Sequence, residues 1–448
     1  MFIEFSTENF LSFKERASLS MVASKLKSRN RGFDKGATFE IEGYPLTLLK
    51  CAAIYGANAS GKSNLFSAMR FMRELVLNSS KESQAEEPTG VQPHLLSVGY
   101  SDRPSFFEMA FVAGGRMYTY SFSLDSKCIH TEKLISIVGP KERELFSREG
   151  DNIVLDPSFS EGNLLVEKTR KNALFLSVCA NFAGKISGKI LRWFDRLRLV
   201  SGLRDNGLMP FTQSCLDENH KSRDAIDALL KSFDLGIERV RPGKEKALEI
   251  PDGSNFSGEL RTAVDAIAKY TKAQKIAIRD TNSFHKVFDE NGDVAGEIAF
   301  DLATSESQGT QKLVALSAPL VDTLTNSLIV FIDEFDARLH PILSRSILRL
   351  FNSESGNPKN AQLIIATHDT NLLDRSLLRR DQIWFCEKDR YGGSHLTSLV
   401  EYKVRNDASF EKDYIIGKYG AIPILGNLSQ IFGSSIVRSS KGKADVGD

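Results

Sequence analysis

The segment that most constrains this chain is Gly56-Ala57-Asn58-Ala59-Ser60-Gly61-Lys62-Ser63, which fits the pattern GxxxxGK[ST]. It follows the compact apolar run Leu48 to Tyr55. It precedes Asn64 to Leu77, where Leu65, Phe66, Met69, Met72, Leu75 and Val76 recur at helical spacing. A strand that enters a glycine turn and opens a helix is the setting in which this pattern carries chemistry. Glycines let successive backbone N–H groups converge on phosphate oxygens, and the helix N-terminus adds a favourable dipole. In such a loop Lys62 reaches the β- and γ-phosphates, and the Ser63 hydroxyl ligates Mg²⁺.

Two later strands end in residues that suit the same chemistry. Leu328-Ile329-Val330-Phe331-Ile332 leads into Asp333 and Glu334. Asp333 would enter the Mg²⁺ shell, and Glu334 would polarise an attacking water. An apolar run before two acids also describes a buried strand ending in solvated carboxylates; the glycine loop upstream is what favours the catalytic reading. Ile364-Ile365-Ala366-Thr367-His368 is the third such end. His368 is read either as a donor to a γ-phosphate or as a solvent-facing histidine at a strand end.

Composition narrows the class. Hydrophobic residues make up 41% and charged residues 26%, which excludes wholesale disorder. A net charge of +1 gives no global nucleic-acid footprint. One local stretch differs: Glu167 to Asp205 holds nine Lys or Arg against three acids, with Trp193 and Phe194 among them. It is either a solvated helix face or a surface for nucleic acid or an acidic partner. No apolar run approaches the roughly 18 residues of a membrane span, and the opening MFIEFSTENF lacks the pattern of a signal peptide. Five cysteines without a CxxC pair predict neither a disulfide frame nor a zinc site, and hence a cytoplasmic chain.

The pattern divides the chain into 1–160, 161–290 and 291–448. Residues 104–137 read as strands with a turn at Ala113-Gly114-Gly115, and residues 163–275 read mainly as helix, with Ser222 capping a helix through Ile226 and Leu230. The last third alternates strand and helix: LIVFI, a helix over Pro341 to Phe351, QLIIAT, a further helix, then QIWFCE. Such alternation predicts a parallel sheet with helices on its faces.

The order of glycine loop, Ser-rich segment, Asp-Glu strand and histidine resembles the ATP-binding-cassette type of ATPase head. The stretches NFLSF (9–13), YGANASGKSN (55–64), SESQGTQKL (305–313), DEFDARLHP (333–341), ATHD (366–369) and RNDASFEKDYIIGKYGAIP (405–423) are similar to the RloA- and AbiL-like ATPases associated with phage defence. The resemblance implies an α/β P-loop NTPase with a mixed sheet, a β-rich lobe and a helical insertion. It implies ATP and Mg²⁺ as cofactors, with Asn64 joining the loop residues in the nucleotide site. It further implies that Ser307 and Gly309 bond the γ-phosphate of ATP held by another copy, in a homo-oligomer that controls a separate effector. Read without it, SESQGTQKL is a polar loop before a helix. The chain departs from transporter-type heads at His340, where Asp is usual, and at Gln308, which replaces a signature glycine. Gln92 is read either as the family's lobe-linking glutamine or as an ordinary surface residue. The segment after His368 is shorter than the nuclease domain of the overcoming-lysogenisation-defect family, so the effector is expected on another chain. The rival expectation is a RecF-like DNA-binding ATPase of repair, which should lack DEFDARLHP and YGAIP.

Overall fold

A computed structural model describes residues 1–448 apart from 27–30, 82, 83, 85, 140, 204–206, 250–274, 406, 407 and 424–448. Arg204 and Asp205 of the basic stretch, and Asn406 and Asp407 of the C-terminal motif, lie outside the described residues.

The strand reading near the glycine loop resolves into Thr47–Leu49 and Cys51–Tyr55, separated by the buried Lys50. Cys51–Tyr55 belongs to a six-stranded sheet ordered Leu197–Ser201, Ile329–Asp333, Gln362–Ala366, Cys51–Tyr55, Ile383–Lys388 and Ser394–Ser398. Every pairing is parallel except the last. Gly56, Glu334 and Thr367 therefore emerge at the same edge of the sheet, where ligands of open parallel sheets bind.

Both faces of this sheet are covered, which is why its strands are continuous apolar runs. Ala52, Ile54, Phe331, Ile364 and Cys386 face a core shared with helix Lys62–Asn78. Their neighbours Ala53, Tyr55, Ile332, Ile365 and Phe385 face the opposite core. Helices Gln308–Asn326 and Pro341–Phe351 fill that side with Leu313, Leu316, Leu320, Ile347 and Phe351.

A seven-stranded antiparallel sheet forms the β-rich lobe, in the order Asn152–Leu155, Lys141–Glu149, Ile129–Val138, Arg116–Leu124, Ser105–Ala113, Phe2–Glu8 and Ala17–Ser20. Gln362 fastens it to the parallel sheet. Its buried amide accepts from Phe2 N at 2.7 Å and donates to Phe2 O at 2.9 Å.

The pattern predicts a mainly helical insertion over 161–290, whereas the described residues of this range mix helices with strands. Helices Phe175–Asn181, Lys185–Asp195, Leu208–Cys215 and Arg223–Ser232 are there. Leu197–Ser201, however, is the edge strand of the parallel sheet, in register with Ile329–Asp333. Arg239–Glu249 and Lys275–Phe288 pair with each other, and the second pairs with Val294–Asp301, in a three-stranded antiparallel sheet. Ser222 stands at the cap of Arg223–Ser232, but its side chain makes no capping bond. The helix expected after Gln362–Ala366 is also replaced, by short 3₁₀ turns at Thr370–Leu372 and Arg380–Gln382. Asp369 and Asp374 accept from the backbone N–H groups of Asn371 and Ser376, an alternative to the helical ladder that Asp favours.

Candidate functional site

The glycine loop takes backbone conformations that a Cβ disfavours: Gly61 has φ 117°, which glycine adopts freely, and Ala59 has φ 62°, which is strained for any residue with a Cβ. A Cβ on Gly61 would sit 2.3 Å from Ser394 Oγ, and one on Gly56 would sit 2.3 Å from Cys386 O. The loop is also tied down from both ends of the chain. Ser394 Oγ donates to Ser60 O at 2.6 Å, Ser394 N donates to Ser12 O at 2.7 Å, and Asn64 Nδ2 donates to Ser12 Oγ at 2.7 Å. Asn64 thus works in positioning the loop. Lys62 is buried, and its ammonium bonds the loop's own carbonyls at Gly56 (2.8 Å) and Ala57 (3.0 Å). Burial lowers its pKa, opposed by Cys386, Asp333, Asp336 and Glu334.

Asp333 ends the neighbouring strand. Its backbone oxygen accepts from Gly202 N at 2.7 Å, while its side-chain Oδ1 is buried without a hydrogen-bond partner. Glu334 follows at φ 51°, a strained turn for a side chain of this size. Desolvation first, then the Asp333 and Asp336 carboxylates, raise the Glu334 carboxyl above the ordinary glutamate value, with Lys62 and Lys312 opposing. His368 is exposed at the end of its strand, and its backbone N–H donates to Asp336 Oδ1 at 3.1 Å. Partial desolvation of the ring, and then the Lys62 ammonium, lower its pKa. Lys62, Asp333, Glu334, Asp336 and His368 therefore share one electrostatic neighbourhood.

The donors fit the groups that the motif implies. The unpartnered buried carboxylate oxygen of Asp333 and the hydroxyl of Ser63 are hard oxygen donors of the kind that suits Mg²⁺. A glycine cradle opening helix Lys62–Asn78 suits a polyphosphate.

Ser307 caps helix Gln308–Asn326: its exposed Oγ accepts from Thr310 N at 3.1 Å. A Cβ on Gly309 would lie 2.6 Å from Arg338 O, so glycine allows this helix to approach the loop after Glu334. His340 caps Pro341–Phe351, its Nδ1 accepting from Ile342 N at 3.3 Å. Gln92 is exposed and engages through its backbone, where its oxygen accepts from Leu11 N at 2.9 Å.

Residue patterns alone did not point to Lys312, Asp336, Ser12 or Ser394. Asp336 lay in plain view inside DEFDARLHP, two residues past Glu334. The other three gave no local signal. In the basic stretch, Lys185, Lys189, Arg192 and Arg196 form an exposed stripe at helical spacing. Trp193 and Phe194 instead turn inward, Trp193 stacking on Phe111 with ring centroids 4.2 Å apart.

A family model described as "AAA domain, putative AbiEii toxin, Type IV TA system" matches residues 51–374, a span that holds the glycine loop, Asp333, Glu334 and His368. The chain belongs to this AAA family. The fold that carries the matched residues is mixed α/β, a parallel sheet covered on both faces and joined to an antiparallel lobe. No curated protein matches the chain. Among solved structures it is similar to the SMC head domain from Thermotoga maritima, at 12% identity and TM-score 0.39, covering 89% of this chain and 98% of that one. It is also similar to the Smc head domain with an extended coiled coil bound to the C-terminal domain of ScpA, derived from Pyrococcus furiosus. There the identity is 12% and the TM-score 0.34, over 93% of this chain and 98% of the other. No helix among the described residues is long and apolar enough to cross a membrane.

Proposed function

We propose that this AAA-family chain binds and hydrolyses ATP as the regulatory subunit of a bacterial anti-phage defence system. ATP would lie between two copies, and its occupancy would be coupled to a separate effector. The observation that carries the enzymatic part is the buried, unpartnered Oδ1 of Asp333 in the neighbourhood of Lys62 and Glu334. Lys62 exchanges the carbonyls of Gly56 and Ala57 for phosphate oxygens, which keeps its ammonium paired throughout. Ser63 and Asp333 would hold Mg²⁺, which would supply charge neutralisation at the transferring phosphoryl group. Glu334 takes the proton of the attacking water, and its raised pKa brings it nearer to a useful base at neutral pH. His368, whose pKa is lowered by partial desolvation and the Lys62 ammonium, would donate a ring N–H to the phosphate while Asp336 orients its backbone.

The shared-site part rests on Ser307. It is exposed at the positive end of a 19-residue helix, the arrangement that receives an anion from outside the chain. The defence role draws on the resemblance of the terminal motifs and on the toxin–antitoxin wording of the family description. Phosphate release and calorimetric ATP titration test the core of this reading, with Lys62→Ala as the control. Loss of both ATP binding and turnover is expected; unchanged affinity in that variant removes the glycine loop from the site. Phage challenge of cells carrying the gene and its neighbours then tests the defence role, which requires protection in the wild type and none in Lys62→Ala.

A RecF-like DNA-binding reading draws on one observation, the exposed stripe Lys185, Lys189, Arg192 and Arg196. Binding through that stripe would weaken steeply with salt as counterions are released. Absence of DNA binding at low salt returns the stripe to a solvated helix face.

A further inference from the structure

The turn after strand Arg116–Leu124 carries Asp125 and Cys128, and His130 lies at the start of strand Ile129–Val138. A carboxylate oxygen, the thiol sulfur and a ring nitrogen of these residues all lie within 4.8 Å of one another, the one such group among the described residues. His130 Nε2 is 2.9 Å from Asp125 Oδ2 and 3.9 Å from Cys128 Sγ. A tetrahedral zinc ion, with Zn–S of about 2.3 Å and Zn–N or Zn–O of about 2.0–2.2 Å, places its ligand atoms roughly 3.3–3.6 Å apart. The His130–Asp125 and His130–Cys128 separations are each within about half an ångström of that geometry.

The ligands are also held in position. Asp125 Oδ1 accepts from Lys127 N at 2.7 Å and Cys128 N at 2.9 Å, which leaves Oδ2 directed at the histidine. Asp125 N donates to Cys128 O at 3.1 Å, Ile129 N to Lys171 O at 2.8 Å, and Gly150 N to His130 O at 2.7 Å. Thr89 Oγ1 donates to Asp125 O at 2.6 Å. The bonds to Asp125 Oδ1 fix the direction of that carboxylate, and the others hold the backbone of the turn.

We propose that Asp125, Cys128 and His130 bind one zinc ion, with water completing the tetrahedron, at the point where this turn meets the segments around Thr89, Gly150 and Lys171. Thiolate and imidazole select a soft or borderline ion over the Mg²⁺ of the glycine-loop site. Zinc binds the thiolate form of cysteine, so binding releases a proton and weakens in acid. The spacing D-x₂-C-x-H contains no CxxC, and its first ligand is a carboxylate that the cysteine pattern does not register. The other four cysteines are buried, so a metal–thiolate signal is assignable to Cys128.

The test uses the untagged full-length chain, dialysed against zinc chloride and then against metal-free buffer, with metal content measured by mass spectrometry. One equivalent of zinc should remain. Cobalt(II) in its place should give a near-ultraviolet thiolate charge-transfer band. Asp125→Asn keeps the oxygen that caps the turn and Cys128→Ser keeps the size of the side chain, so both should fold, as circular dichroism would report. Each should weaken zinc by at least about 100-fold, beyond what loss of a supporting hydrogen bond costs, and Cys128→Ser should abolish the cobalt band. Lys62→Ala should retain the zinc. A wild-type chain that holds no stoichiometric zinc overturns the proposal, as do folded variants that bind it like wild type.

Discussion

The buried ammonium of Lys312 donates to the carbonyl oxygen of Glu334 at 3.3 Å, and also to the carbonyls of Phe335 at 3.0 Å and Ala337 at 2.6 Å. One side chain on the helix that Ser307 caps therefore holds the backbone of the loop that carries Glu334. It also lowers the Glu334 pKa against the pull of the neighbouring acids. The helix that Ser307 caps and the loop that carries Glu334 are thus joined by a direct hydrogen-bonded contact.

Lys312→Met should remove that tie while preserving the aliphatic stem. Buried carbonyls left without a donor cost about 1–3 kcal/mol each before relaxation, so the urea midpoint should fall measurably. Turnover should fall further than ATP affinity, because the variant disturbs Glu334 and leaves the glycine loop intact. A variant with wild-type midpoint and turnover would detach Lys312 from the site.

Asp336→Asn should move the acid limb of the ATPase pH profile to lower pH. The sign follows from the two groups that Asp336 faces. Its charge helps to raise the Glu334 carboxyl, so removing it lowers the pH at which that base ionises. The same charge opposes the lowering of the His368 pKa, so its removal keeps the ring neutral further into acid. Asparagine retains the oxygen that accepts from His368 N, which separates charge from positioning. Turnover against pH for both proteins decides the point; a limb that stays put or moves upward contradicts it.

How much of this was legible depends on how local each cause is. The glycine loop is a local object: eight consecutive residues between a strand and a helix carry its geometry. Asp333 and His368 were visible because apolar runs announce buried strands and the chemistry sits where those runs stop. Lys312 was not, since a lysine in SESQGTQKL looks solvated, and its burial comes from carbonyls more than twenty residues downstream. Ser12 and Ser394 stand far apart in the chain, and only the fold places both against the loop. Leu197–Ser201 was read as part of a helical region because basic residues interrupt its apolar pattern, and its partner strand begins at Ile329. Tertiary pairing decided that segment.

Glu132 tests the β-rich lobe independently of nucleotide. It is fully buried and accepts from Tyr120 Oη at 2.8 Å, Phe175 N at 2.7 Å and Leu176 N at 2.9 Å, with Arg148 at 3.8 Å. It thereby caps helix Phe175–Asn181 from a neighbouring strand. Glu132→Ala leaves Arg148 and two helix N–H groups buried with less compensation, and breaking such a pair typically costs about 3–5 kcal/mol. Glu132→Gln should cost less, since it keeps an acceptor. Urea unfolding followed by tryptophan fluorescence reads both. An alanine variant within about 1 kcal/mol of wild type would show the network to be dispensable.

Glu334→Gln separates binding from chemistry. The amide is nearly isosteric and keeps an acceptor oxygen, but it cannot take a proton from water. Phosphate release should fall by roughly 10²- to 10⁴-fold, the usual cost of losing one general base, with ATP and Mg²⁺ binding largely intact. If ATP lies between two copies, occupancy without turnover should hold them together, since a ligand that binds the assembled state stabilises it. Ser307→Arg in the same background should undo this. It replaces a small exposed cap at a helix N-terminus with a bulky cation, where the neighbour's phosphate would have to approach. Light scattering with and without ATP, run beside the phosphate assay, distinguishes the outcomes. Full turnover in Glu334→Gln removes Glu334 from the catalytic role. An assembly that ignores both ATP and the Ser307 substitution refutes the shared site while leaving the single-chain chemistry of Lys62, Asp333 and Glu334 in place.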